Sequence, residues 1–199
     1  MAYRSLARDD VPGLFDNVFE QGLVDSNSFG IFLNFDEHGN RQGQLTLGGY
    51  DPTLVDGPFT YSPVVSTEWF VVHMAQIAVA DTPVAHDVRV IVDSGTSCLT
   101  GPRDIIGPLV DPIRIAHDCT GYATAPNITL NIGGREWTLT PNDYVLHNSQ
   151  LTSCEVCIEI FDQKPSSPYE MILGDVVQRV IYVHYDMVIM LLLLLLLLL

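Results

Sequence analysis

The run IVDSGTSCLTGP, residues 91–102, places a carboxylate, Asp93, among small and hydroxylated residues directly after the apolar, β-branched segment VRVIV. That segment reads as a buried strand. A strand ending in Asp-Ser-Gly-Thr-Ser delivers the carboxylate to a turn where hydroxyls and backbone N–H groups hold it, and Gly95 permits a tight backbone there. By itself such a residue is an ordinary turn cap. Beside a second carboxylate it becomes a proton-transfer group. Other chemistries find less support. Ser97 is followed by Cys98 and Leu99, which breaks any G-x-S-x-G pattern. The six histidines lack ligand spacing, and Cys154-x-x-Cys157 has neither a second Cys pair nor a spaced His pair to complete a zinc site. Gly48-Gly49 and Gly133-Gly134 read as hairpin turns and not as phosphate loops. No metal and no cofactor is expected. Asp175, after Ile-Leu-Gly, is a second carboxylate that could be set against Asp93.

The elements that must carry Asp93 are mostly strands. FGIFLNF and GQLTLGGY flank a turn rich in Asp, Gly and Asn, and FTYSPV, WFVVHMAQIAVA and VRVIV continue the pattern. PNITLNIGGREWTLT reads as a hairpin turning at Gly133-Gly134. MILGDVVQRVIYVHYD reads as strand, short helical turn and strand. Val11, Leu14, Phe15, Val18 and Phe19 have helical spacing, with Asp10 as cap, Pro12 in the first turn and Gly22 as the stop. In TGPRDIIGPLVDPI, Pro108 and Pro112 are expected to shorten or break a helix. The class is mainly β with a few short helices.

Composition narrows the partners. The 199 residues carry a formal charge of −15, and the nine Lys and Arg are scattered, which argues against nucleic acid. The chain closes on twelve apolar residues from Val188, nine of them Leu, too few for a membrane span of about twenty. This tail dominates the mean hydropathy of +0.23, and membrane association is not expected. It lacks the turn and the alternation of a final antiparallel strand, so it is expected to pack against no part of the core. The start shows no charged segment followed by an apolar one, so no signal peptide is visible. Four cysteines, Cys98, Cys119, Cys154 and Cys157, favour one or two disulfides and an oxidising compartment, with the pairing open. Asn127-Ile-Thr129 is an N-glycosylation sequon, set in a strand-like run that argues against its use.

In order along the chain, GQLTLGGYDPTLVDGPFTYSPV, WFVVHMAQIAV, VIVDSGTSCLTGP, APNITLNIGGREWTLTPNDYVL and MILGDVVQRVIYVHYD resemble the carboxy-terminal half of the pepsin and cathepsin D type of aspartic protease. The resemblance covers nearly everything from Ala2 to Asp186. It implies the carboxy-terminal lobe of a bilobal β fold over residues 25–190. Residues 1–24 would be the end of the amino-terminal lobe and the passage between lobes, and 191–199 a low-complexity tail. Asp93 corresponds to the second lobe's catalytic aspartate and Thr96 to the hydroxyl bonded to it. Ser94 corresponds to the brace between the two active-site loops, joined across Gly95, and Ile172-Leu173-Gly174 to the segment packed against the loop, with Asp175 after it a structural carboxylate near a helix start and not a member of the pair. The resemblance also pairs Cys119 with Cys154, leaves Cys98 as a buried free thiol and assigns Cys157 no partner.

The activity so implied is endopeptidase cleavage of peptide or protein substrates at acidic pH, by a water held between two carboxylates that share a proton. Only one D-S-G or D-T-G occurs in the chain, so the partner aspartate would belong to an amino-terminal lobe outside it, and the isolated chain would be inactive. A non-catalytic binding half-lobe and a homodimer pairing two Asp93 loops are the alternatives. The implied location is secreted or an acidic, lysosome-like compartment.

Overall fold

In the computed structural model the described residues are 4–6, 9, 11–35, 41–66, 68–147, 153–161, 164, 166–188 and 190–197. The first long element is helix α1 (Leu14–Glu20). Asp10 lies outside the described residues. The helix is closed by Gly13, whose N–H donates to the Asp16 carboxylate at 2.8 Å, so Pro12 precedes the cap and does not sit in the first turn. Gly22, at φ +67°, ends it as expected. Phe15 is the helix's buried anchor, edge-on to Phe29 at 5.1 Å.

Strands β1 (Ser28–Phe35), β2 (Arg41–Leu47), β3 (Val55–Pro63), β4 (Val71–Val79), β5 (Thr82–Val92) and β6 (Leu99–Gly101) follow, and then helix α2 (Arg103–Val110). The helix stops two residues short of Pro112, in line with the expected shortening, while Pro108 does not break α2. Gly107 before it has no Cβ to collide with the proline ring, and the helix runs on to Val110, with Pro112 beyond its end. Next come β7 (Ile128–Ile132), β8 (Arg135–Leu139), α3 (Pro141–Tyr144), β9 (Val145–His147), β10 (Cys154–Val156), β11 (Ile158–Ile160), β12 (Met171–Leu173), α4 (Asp175–Gln178), β13 (Ile181–Asp186) and β14 (Leu191–Leu197). The β7–β8 hairpin turns at Gly133 and Gly134, both with positive φ, as a two-residue loop requires.

The strands form a mixed seven-stranded sheet, β11-β6-β12-β5-β4-β7-β8, an antiparallel five-stranded sheet, β2-β1-β13-β14-β3, and the pair β10-β9. One continuous core joins the two large sheets. It includes Met74, Val90, Leu130 and Trp137 from the first and Phe29, Val183 and Tyr185 from the second. The fold is mainly β, with four short α-helices among the described residues, consistent with a pepsin-like lobe.

The leucine tail overturns its expectation. β14 lies inside the five-stranded sheet, antiparallel to β13 (Asp186 opposite Leu191) and to β3 (Leu191 opposite Pro63). A strand bonded on both edges is held by its backbone and does not need an alternating sequence. The turn into it is also present. Asp186 Oδ1 accepts from the Val188 N–H at 2.9 Å, and the Met190 carbonyl accepts from the Val64 N–H at 2.8 Å. Leu192 is fully buried.

The cysteines are all bonded. Cys119 and Cys154 are joined, Cα–Cα 5.0 Å. Cys98 is buried, but it is not a free thiol, and Cys157 does have a partner: the two are bonded, Cα–Cα 4.7 Å. The cause is topological. β6 and β11 pair in parallel from Leu99 and Ile158, so the residues just before each strand face one another within bridging range.

Candidate active site

Two parallel strands deliver the site. Val90, Ile91 and Val92 of β5 stand opposite Met171, Ile172 and Leu173 of β12, so Asp93 and Gly174 leave the sheet side by side. The pairing extends one step further, with the Asp93 N–H donating to the Leu173 carbonyl at 3.2 Å. Beyond that point the chain after Asp93 turns tightly, and the chain after Gly174 becomes helix α4.

The Asp93 carboxylate is half-buried and held on both oxygens. Oδ1 accepts from the Gly95 N–H at 3.0 Å and Oδ2 from the Thr96 hydroxyl at 2.8 Å. Together the two bonds fix the plane of the carboxylate. Gly95 does not adopt a left-handed conformation. It is small because a Cβ there would sit 3.2 Å from Asp93 Oδ1. Ser94 is exposed and its hydroxyl bonds to no described residue, a position open to a neighbouring surface. Among the described residues no second carboxylate contacts Asp93. Asp175 is half-buried in the first turn of α4.

Gly174 is required by close approach. Its φ is −82°, but a Cβ would lie 2.4 Å from the Thr96 carbonyl oxygen and 2.5 Å from that of Cys98. The contact lets loop and helix satisfy each other. The Asp175 and Val176 N–H groups, orphaned at the helix start, donate to the carbonyls of Thr96 at 2.8 Å and Ser97 at 3.1 Å. The buried Gln178 side chain donates to the Leu173 carbonyl at 3.2 Å. The Cys98–Cys157 bond anchors the far end of the loop. Asp93, Ser94, Gly95, Thr96, Ile172, Leu173 and Gly174 are thus brought together, while Cys119, Cys154 and Asn127 lie elsewhere in the fold.

Beneath the loop lies an aromatic layer. Tyr185 of β13 stacks on Phe29 at 4.6 Å and meets Phe70 edge-on at 4.6 Å, and the Phe70 carbonyl accepts from the Val92 N–H. Burial pushes the Tyr185 hydroxyl pKa well up, and the Asp93 charge pushes it further. The phenol therefore stays protonated while carrying Asp93's field. Sequence reasoning passed over Tyr185, since nothing in IYVHYD marks which aromatic residue lies under the loop. It also passed over the Cys98–Cys157 staple, for which adjacency to the D-S-G-T turn was the available signal. Among the described residues no group of three or more His, Cys, Asp or Glu is placed to hold a metal ion, and no helix is long and apolar enough to cross a membrane.

Comparison with known proteins gives the same lineage. Residues 1–190 match the family model described as eukaryotic aspartyl protease. Cathepsin E of Mus musculus is 34% identical over 197 residues, covering 94% of this chain and 50% of the relative. Cathepsin D of Homo sapiens is 34% identical over 199 residues, covering 94% and 48% respectively, and cathepsin D of Clupea harengus is 34% identical over 199, covering 94% and 50%. The chain spans about half the length of the curated relatives it matches. With a D-S-G-T carboxylate built at the mouth of two parallel strands, and a match running through residue 190, the chain belongs to the eukaryotic aspartyl protease family.

Proposed function

We propose that this chain forms one half of an aspartic endopeptidase, with Asp93 as one carboxylate of the catalytic pair and the other supplied by a lobe outside the chain. The observation that carries this reading is the fixed, half-buried Asp93 carboxylate, bonded to the Gly95 N–H and the Thr96 hydroxyl. Thr96 keeps one oxygen oriented, and the exposed Ser94 offers a brace for the opposing loop. Two such carboxylates at close range share one proton, because both cannot ionise together. The ionised one takes a proton from the bound water, whose oxygen attacks the scissile carbonyl carbon. The protonated one gives its proton to the carbonyl oxygen. Collapse of the tetrahedral intermediate breaks the C–N bond: the leaving nitrogen takes the proton that the first carboxylate gained from water, and a hydroxyl of the intermediate returns its proton to the second carboxylate as the C=O reforms. The substrates are peptides with apolar residues flanking the cleaved bond.

The proposed setting is an acidic compartment of the secretory route, in keeping with two disulfides and a formal charge of −15. The test is peptide hydrolysis between about pH 3 and 6, by the chain alone and by the chain mixed with the amino-terminal half of a related cathepsin. The chain alone should be inactive, and the mixture should turn over substrate and be blocked by a pepstatin-type inhibitor. Inhibitor-sensitive turnover by the chain alone would overturn the two-lobe reading in favour of a homodimer. Inhibitor binding without turnover in the mixture would favour a non-catalytic binding half-lobe.

A further inference from the structure

Asn127-Ile128-Thr129 is the sole Asn-x-Ser/Thr sequence in the chain, and its place in the fold differs from what the run ITLNI suggests. Asn127 is not in the ladder of β7. It is the last residue of the preceding loop, with the strand beginning at Ile128. The period of two along β7 then settles direction. Ile128, Leu130 and Ile132 are fully buried, so Thr129 and Asn131 share the opposite, outward face, and Asn127 stands exposed just ahead of the strand. Thr129 is partly exposed, and the Asn127 carboxamide makes no hydrogen bond to a described residue. Its backbone carbonyl is occupied, accepting from the Ala80 N–H at 3.1 Å, and the loop is pinned where Pro126 accepts from the Tyr144 hydroxyl at 2.6 Å. The backbone is therefore fixed while the side chain is free, which suits an attachment point.

The surroundings tolerate a bulky group. Ala80 is in the turn joining β4 to β5, and Asp93 follows the other end of β5, an 11-residue strand. At about 3.3 Å per residue that separates the two ends by roughly 35 Å if straight. A group on Asn127 would project from the end of the lobe away from Asp93. It would stand beside β8, the outer strand of the seven-stranded sheet, where Ile128 pairs with Leu139. An open edge strand is a template for pairing with another chain unless something covers it.

We infer that Asn127 is an N-glycosylation site whose glycan covers the β8 edge and leaves the Asp93 face clear. The donor is a lipid diphosphate-linked oligosaccharide. A bond forms between Asn127 Nδ2 and the anomeric carbon, the anomeric C–O bond breaks, the diphosphate leaves with the bonding pair, and the amide proton passes to a base of the transferase. The inference rests on the secretory part of the functional reading and not on Asp93.

The test is expression of the full chain behind a cleavable secretory leader in insect cells, followed by peptide N-glycosidase. Wild type should show a mobility shift and an Asn-to-Asp conversion at residue 127. Asn127→Gln and Thr129→Ala, which remove the sequon through different residues, should both lose the shift. Asn131→Gln, on the same outward face as Thr129 but outside the sequon, should keep it. Unmodified wild type, or a shift that survives in either sequon variant, would overturn the assignment. Peptidase reconstitution by wild type and the sequon variants is read separately, so a missing glycan and a failed catalytic reading are distinguishable.

Discussion

Gly174→Ala tests whether the site is built by close packing of α4 on the Asp93 loop. The added methyl would meet the Thr96 and Cys98 carbonyl oxygens at 2.4 and 2.5 Å and the Thr96 carbonyl carbon at 2.9 Å. Ordinary contact begins near 3.4 Å, so the two backbones must part by about an ångström. No side-chain rotation relieves this, because the obstructing atoms are main chain, and parting them stretches the bonds from Asp175 and Val176 N–H to the loop carbonyls. Overpacking of a tight core costs about 1–3 kcal/mol. The immobile neighbours put this case at the upper end, with a further ~1 kcal/mol at risk for each weakened hydrogen bond. The assay is urea unfolding followed by tryptophan fluorescence, reported by the buried Trp137 and half-buried Trp69. Gly95→Ala is the contrast. Its methyl would meet the Asp93 carboxylate at 3.2 Å, and a side chain yields by tenths of an ångström, so stability should fall by less than about 1 kcal/mol. A Gly174→Ala midpoint equal to wild type, or a larger loss for Gly95→Ala, would refute the reasoning.

Three further outcomes follow from the same structure. The double substitution Cys98→Ala/Cys157→Ala opens a bridge spanning 59 residues and should cost on the order of 4 kcal/mol by loop entropy, read as a lowered urea midpoint under non-reducing conditions. Deleting residues 191–199 removes β14 from between β13 and β3, so Tm should drop clearly and dye binding to exposed apolar surface should rise; an unchanged Tm would return the tail to the status of an appendage. Burial lowers the His184 pKa, with Asp186 pulling it partly back, so below the ordinary value of about 6.5 the unfolded chain binds a proton that the folded chain resists. Stability from this group is therefore complete above about pH 6.5 and is lost as pH falls towards the depressed folded value. His184→Phe, set among the Tyr50 and Phe59 rings, should flatten that acid limb in unfolding measured from about pH 7 to 5, and an unaltered limb would remove His184 as its cause.

The parts legible in the sequence were those set by local chemistry. Gly133-Gly134 demanded a two-residue turn, Gly22 ended α1, and VRVIV announced the strand that presents Asp93. What stayed hidden depended on partners distant in sequence. Cys98 and Cys157 meet only because β6 and β11 pair in parallel, and neither strand carries a signal for that register. β14 is a homopolymer, so it encodes no face and no alternation, and its place comes from two backbone neighbours and the Asp186 turn. Gly174 was picked out by family resemblance, but its physical necessity, two carbonyls within 2.5 Å of an added carbon, is visible only once β5 and β12 stand side by side. Pro108 misled because a proline inside a helix is read as a breaker without regard to the glycine before it.

The central claim is that Asp93 is one member of a catalytic pair. Its most direct test is the peptidase rate of the chain assembled with a complementary amino-terminal half, compared with the same assembly carrying Asp93→Asn, at about pH 4. Asparagine keeps the size of the side chain and an oxygen to accept from the Gly95 N–H, while the Thr96 hydroxyl can turn to accept from the new Nδ2, but it cannot carry or release the shared proton. The account predicts that both assemblies form equally and that the variant loses several orders of magnitude in kcat, since groups that act as a unit fail together. An Asp93→Asn assembly that hydrolyses peptide at a rate within tenfold of wild type would contradict it.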